Sequence, residues 1–297
     1  MNRIEQAFAE KKKLFIGFIT AGDPDLETTE KLVLSMVEAG VGLIEFGIPF
    51  SDPVAEGEVI QRADARALAA GATTDKILDL VGRLRRQTQV PIVFLTYANP
   101  IYAYGAEKFF ARCQTEGVDG VIIPDIPYEE REEMRPYSEP NGVALVPLIA
   151  PTSKERIKKI AACAQGYVYV VSSFGVTGVR QKITTDIGAI VEEVRKATDV
   201  PVAIGFGIAT PAQAEEMARV SDGAIVGSAI VKLVEKYGKD APRYVYEYCR
   251  DMVQAVENAC ILLALLGLEL DTTLGSAPDR MLCLLLTIQS VEWLGIS

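Results

Sequence analysis

The chain contains no histidine. That absence removes Ser-His-Asp and Cys-His activation of a nucleophile, His-x-x-x-His metal sites and imidazole acid–base catalysis. Any proton transfer here falls to carboxylates, tyrosines or lysines. Cysteine is sparse: Cys113, Cys163, Cys249, Cys260 and Cys283 lie far apart with no Cys-x-x-Cys pair. Neither a disulfide framework nor a zinc site is indicated, and reduced thiols in a cytosolic protein fit best. Positive charge is in deficit, with thirty Lys plus Arg against forty Asp plus Glu and a net charge of −10. Nucleic acid and anionic membranes are therefore poor partners, and any bound anion must be held by local donors. The start of the chain, polar and ending in Lys11-Lys12-Lys13 before a short apolar strand, lacks the h-region of a signal peptide. The expected location is cytoplasmic.

What is present is a sizeable core: 49% of the 297 residues are hydrophobic and 24% charged. One apolar run, Gly42-Leu43-Ile44-Glu45-Phe46-Gly47-Ile48, carries a carboxylate in its middle and is closed by Pro49. As a strand it places Leu43, Glu45 and Gly47 on one face and Ile44, Phe46 and Ile48 on the other. Glu45 is thus expected in surroundings that disfavour its charge and raise its pKa toward neutrality, where a carboxyl group can both give and take a proton. A structural glutamate paired with a buried cation fits the same run equally well. A second acid, Glu56, follows on the loop after this strand.

Eight β-rich apolar runs recur along the chain: Leu14 to Thr20, Leu43 to Ile48, Pro91 to Tyr97, Gly120 to Ile126, Ala144 to Ala150, Tyr167 to Ser173, Pro201 to Gly207 and Gly223 to Ile230. Between them lie segments with helical spacing, among them Leu26 to Glu38, Thr74 to Arg86, Glu129 to Tyr137, Ser153 to Cys163 and Pro211 to Arg219. Ser153 and Thr210 stand where helix N-caps belong. Strict alternation with near-continuous apolar strands predicts an α/β fold, a (β/α)8 TIM barrel. An open doubly wound sheet is the competitor, but Ala21-Gly22-Asp23-Pro24 replaces the Gly-x-Gly-x-x-Gly turn it usually carries after the first strand. The second βα connection is the longest and has room for an extra helix over Val59 to Ala70. In a barrel, Glu45, Tyr97 and Asp125 approach the mouth formed by the C-terminal strand ends. Three glycine clusters, Gly175 to Gly178, Gly205 to Gly207 and Gly227-Ser228, follow the last three strands, and their convergence predicts an anion site built from backbone N–H groups.

Six motifs, Phe18-Ile-Thr-Ala-Gly-Asp-Pro24, Glu45-Phe-Gly-Ile-Pro-Phe-Ser-Asp-Pro53, Tyr97-Ala-Asn-Pro100, Pro124-Asp-Ile-Pro127, Ser172-Ser-Phe-Gly-Val-Thr-Gly178 and Gly205-Phe-Gly-Ile208, together resemble the tryptophan synthase alpha-subunit family from about residue 1 to 257. The resemblance implies a lyase that cleaves indole-3-glycerol phosphate by a retro-aldol reaction, giving indole and glyceraldehyde 3-phosphate in tryptophan biosynthesis. It implies no metal and no organic cofactor in this chain, and a beta subunit, carrying pyridoxal phosphate, in an alpha2beta2 heterotetramer. Matched position by position, Glu45 and Glu56 become the catalytic acids. Gly178, Gly207, Gly227 and Ser228 receive the substrate phosphate, and Phe18, Ile60, Leu95, Tyr97, Tyr169 and Phe206 line the indole pocket. Thr177 closes a loop over substrate, and Pro49, Asp52, Asn99 and Pro127 meet the beta subunit. Glu56 departs from the family's aspartate by one methylene, and Gly57-Glu58 stands where the family has Gly-Pro.

Residues 258–297 continue beyond the resemblance with two apolar runs, Cys260 to Leu268 and Met281 to Ile288. Both fall short of the roughly 20 residues of a membrane span. The expected organisation is a catalytic barrel over 1–257 and an accessory extension over 258–297. Two rival functions remain: a catalytically weak subunit that mainly binds and activates the beta subunit, and another phosphate-binding barrel aldolase. No lysine falls in the eight strands to support Schiff-base chemistry.

Overall fold

A computed structural model describes residues 2–171, 187–205 and 207–265. Among these residues nine strands form one sheet in which every neighbouring pair is parallel: β1 (Leu14–Thr20), β2 (Leu43–Gly47), β3 (Ile92–Leu95), β4 (Gly120–Ile122), β5 (Ala144–Leu145), β6 (Leu148–Ile149), β7 (Val168–Val171), β8 (Val202–Gly205) and β9 (Gly223–Val226). Their order is β5-β4-β3-β2-β1-β9-β8-β7-β6. The two ends of that list, β5 and β6, are the two halves of one chain stretch, separated by Val146 and Pro147. Val146 still donates its N–H to Val121 O, and Pro147 O accepts from Tyr169 N–H. The stretch therefore ties β4 on one side to β7 on the other and closes the ring as the fifth of eight barrel positions. Proline has no N–H to give to a ladder, which accounts for the break.

Alternation along the strands sorts side chains between two cores. Leu14, Ile16, Leu43, Val93, Ile122, Tyr167, Tyr169, Ala203 and Ile225 fill the barrel interior. Ile44, Phe46, Phe94, Val121, Val168, Val170 and Ile204 face outward into the layer of helices. At one end of the interior, Ile4 of helix α1 (Arg3–Glu10) packs as a plug. The helices α2 (Leu26–Glu38), α3 (Glu58–Ala69), α4 (Thr74–Leu84), α5 (Ala98–Tyr104), α6 (Ala106–Glu116), α7 (Arg135–Ser138), α8 (Lys154–Ala161), α9 (Ile187–Arg195), α10 (Pro211–Val220), α11 (Ser228–Tyr237) and α12 (Ala241–Leu265) follow. Ser153 and Thr210 cap α8 and α10 as expected, Thr210 within a full capping box.

Four elements differ from what the sequence predicts. The single helix expected over 129–137 is a 3-10 segment, Tyr128–Glu133, followed by the short α7, because Pro136 cannot bond back to the preceding turn. Strand five is split, as above. The helix α5 begins directly after Tyr97, with Pro100 in its first turn, where no N–H is required. The last helix, α12, runs through position 257 to Leu265.

Candidate active site

β2 delivers Glu45 into the barrel. It stands in register with Phe18 of β1 and Val93 of β3, and only 1% of its surface is exposed. Its partner is a phenol, not a cation: Tyr167 O–H donates to Glu45 Oε1 at 2.5 Å. Burial raises the Glu45 carboxyl to about 7, with the Tyr167 hydrogen bond pulling it back down. Burial, and then the charge of Glu45, hold the hydroxyls of Tyr167 and Tyr169 protonated well above their ordinary range.

Glu56 lies two residues before α3 and is also buried, 5% exposed. The Tyr97 hydroxyl accepts the Ala55 N–H at 3.1 Å and faces the Glu56 carboxylate. Burial raises the Glu56 pKa, opposed by hydrogen bonds from Asp64 and Tyr97. Asp64, on α3, is itself 3% exposed. Neither Asp64 nor Tyr167 is among the residues that the motifs mark. Alternation puts Tyr167 on the inward face it shares with Tyr169. Asp64 carried one signal, an acid on the inner side of an otherwise apolar Ile60-Ala63-Ala67 stripe.

One cavity brings both acids together. It is lined by Phe18, Glu45, Glu56, Ile60, Leu95, Tyr169, Gly207, Gly227 and Ser228, with Ala55, Pro124, Leu148, Ile208 and Ile225 completing the wall. These last five were not anticipated. Tyr97 sits behind Glu56 instead of on this wall, its ring 5.5 Å from that of Phe50. Glycine is required at two points nearby. Gly207 adopts φ +84°, and a Cβ on Gly205 would lie 2.2 Å from the Tyr169 hydroxyl. Ser228 opens α11 directly after Gly227, so the helix amino terminus presents its free N–H groups and positive dipole end to the cavity. No Lys or Arg is among the described residues of this wall. Helix α3 is clamped in place by ions outside it: Arg66 grips Asp23 with two bonds of 2.8 Å, and Arg62 reaches Glu235 of α11 at 2.7 Å.

Of the remaining residues singled out from sequence, Gly178, Thr177 and Phe206 lie outside the described residues. Pro49 and Asn99 line one surface groove with Phe50, Thr73 and Tyr104, while Asp52 and Pro127 are exposed. Asp125 is exposed and accepts the Ala98 N–H at the start of α5. Among the described residues there is no cluster of three or more acidic or sulfur side chains arranged to hold a metal ion, and no helix long and apolar enough to cross a membrane.

Residues 4–260 match the family model described as tryptophan synthase alpha chain. The chain belongs to that family. The tryptophan synthase alpha chain of Lacticaseibacillus casei is 48% identical over 257 residues, 86% of this chain and 96% of the relative. That of Lactiplantibacillus plantarum is 50% identical, covering 83% of this chain and 93% of the relative. Among solved structures, the tryptophan synthase alpha chain of Legionella pneumophila superposes with a TM-score of 0.77 at 35% identity, over 87% of this chain and 98% of that one. A chain of the Pyrococcus furiosus structure, described as the tryptophan synthase a2b2 complex, gives 0.75 at 32% identity, over 82% and 99%. Membership covers the whole barrel, including every strand and the helix α11 behind the cavity.

Proposed function

We propose that this alpha chain cleaves indole-3-glycerol phosphate to indole and glyceraldehyde 3-phosphate and passes the indole to a beta subunit in an alpha2beta2 complex. Pyridoxal phosphate belongs to that partner's reaction, and the retro-aldol step assigned to this chain needs only proton transfers, consistent with a cytoplasmic biosynthetic enzyme. The observation that carries the reading is the pair of buried acids, Glu45 and Glu56, that line one apolar cavity together with Gly227 and Ser228 at the amino terminus of α11.

The chemistry follows from that geometry. Indole C3 must gain a proton as its bond to the glycerol chain is broken, and the departing carbon's hydroxyl must lose one. The net reaction leaves an acid–base group unchanged, so one residue titrating near neutrality can serve both transfers. Glu45, held near 7 in a rigid strand, has that property. As C3 takes its proton, positive charge develops on the ring, and the indole N–H becomes a stronger donor. Glu56 accepts that hydrogen bond and stabilises the charge in a water-poor site. Phe18, Ile60, Leu95 and Tyr169 supply the apolar walls for the ring, with Tyr97 bracing Glu56 from behind. The phosphate takes the N–H groups around Gly207, Gly227 and Ser228, which suits a protein with net charge −10. Gly178, Phe206 and Thr177 keep the phosphate, indole and closing roles that the family implies. Pro49, Asp52, Asn99 and Pro127, with the exposed Val54 beside them, are assigned to the beta-subunit contact.

The deciding measurement is indole release from indole-3-glycerol phosphate, with and without a beta subunit. Turnover that rises with the partner supports the coupled enzyme; no indole in either case supports a subunit that only binds and activates. Glu56→Gln should lower kcat by about 100-fold with folding intact, and full activity in that variant would remove the role assigned to Glu56.

A further inference from the structure

Asp64 has no place in the reaction as described, yet it is a buried acid facing another buried acid. Glu56 Oε2 and Asp64 Oδ2 are both sealed from solvent and neither finds a hydrogen-bond donor among the described residues. Two ionised carboxylates cannot satisfy one another, whereas a single proton shared between them satisfies both. Among the described residues no free cation relieves the pair: Arg66 on the same helix is bonded to Asp23 and Glu235, and Arg62 to Glu235. The remaining groups facing Asp64 are the Phe50 N–H and the carboxylate of Asp23 from the loop after β1. Those facing Glu56 are Asp64 and the Tyr97 hydroxyl. Asp64 thus stands between two carboxylates, Glu56 and Asp23, while Glu56 faces only one other carboxyl group and has the Tyr97 hydroxyl as a donor. That asymmetry settles the proton on Asp64.

We propose that Asp64 is a positioning residue for the lyase reaction: as a neutral acid it donates a hydrogen bond to Glu56, keeping that carboxylate ionised and aimed at the indole N–H. The proposal rests on the role given to Glu56 above. Burial, followed by the charge of Glu56, raises Asp64 to about 9, so the neutral donor persists across the physiological range. Above that pH the pair carries two charges, which repel, and the Glu56 carboxylate loses its support. The tyrosine facing the pair, Tyr97, has its hydroxyl held higher still by burial, so it does not titrate in that window.

The test is the pH profile of kcat/KM for indole release by the assembled complex, together with infrared detection of protonated carboxyl groups. In the native enzyme kcat/KM should fall above about pH 9. Asp64→Asn supplies an amide N–H that cannot ionise, so it should retain at least about a third of kcat at neutral pH while its alkaline fall disappears or moves up by more than one unit. Asp64→Val, with no donor, should lose about 10- to 100-fold, mainly in kcat. Between about pH 7 and 9, where Glu45 is ionised and Asp64 is not, a protonated-carboxyl C=O band should be present in the native protein and missing in Asp64→Asn. An unmoved alkaline fall, an unchanged band, or equal loss in the Asn and Val variants would overturn the proposal. If the Val variant fails to fold, the profile and band of Asp64→Asn decide alone. Full turnover in Glu56→Gln would overturn the role of Glu56 itself; an impaired Glu56→Gln beside an unmoved Asp64→Asn profile would overturn only that of Asp64.

Discussion

The phenol of Tyr167 separates Glu45 from a carboxylate merely lost in an apolar interior. By donating to Oε1 it favours the ionised form, against a desolvation that favours the neutral one, and the balance falls near neutrality. Tyr167→Phe should therefore raise the Glu45 pKa, moving the lower inflection of the kcat/KM profile upward; an unmoved inflection would mean that the bond does not tune the acid. Stability must carry the opposite signature. In the folded state Glu45 holds its proton up to about pH 7, but in the unfolded chain only to about 4.5. Across that window the folded protein binds more protons, so stability falls as pH rises, by at most about 3 kcal/mol. Glu45→Gln removes this penalty. Its activity should drop at least about 100-fold, while its urea midpoint relative to the native protein should improve from pH 5 to pH 8, and a pH-independent difference would count against a buried titrating Glu45. The sequence revealed Glu45 because a charge in an apolar strand is anomalous on sight. It hid the bond from Tyr167, 122 positions away: alternation turns that tyrosine inward, but nothing local marks which inward tyrosine will meet which acid.

At the level of elements, the legible part was the alternation of strand and helix, since periodicity is a local property. The split of strand five and the breakage near Pro136 were also local, and both prolines were in view; their weight was underestimated against apolar runs that looked continuous. The clamp on α3 was not legible, because it joins residues from the loop after β1, from α3 and from α11. That clamp ties the helix carrying Ile60 and Asp64 to the helix opening at Ser228, and so joins two walls of the cavity. Gly205 is the complementary case of a backbone position set by a side chain. Gly205→Ala would place a methyl group 2.2 Å from the Tyr169 hydroxyl. Displacing that buried ring should destabilise the protein by about 1–3 kcal/mol and raise KM for the substrate more than it lowers kcat. Denaturant melts with steady-state kinetics would check both effects. The caps at Ser153 and Thr210 are more ordinary, and Thr210→Ala should lower unfolding free energy by about 1 kcal/mol without altering turnover.

For the whole molecule, the family match ends at residue 260, within α12, which runs on to Leu265. Ala259 of α12 is fully buried, so truncation after Glu257 removes a packed residue, whereas truncation after Leu265 keeps the helix entire. The longer of these two chains should keep full indole release and the shorter should lose thermal stability first, as paired melting curves would show. The break at Pro147 reaches further. The first four strands bring Glu45 and Phe18, the last three bring Tyr167's neighbourhood, Gly207 and Gly227, and the two groups of strands meet at that proline and between β1 and β9. Neither portion contains both the proton carrier and the group that tunes it. The chain is thus divisible at a point where the sheet has already surrendered a ladder bond. Two separately expressed pieces, cut between Val146 and Pro147, should each be inert yet recover lyase activity on mixing, with the active centre assembled across a noncovalent joint.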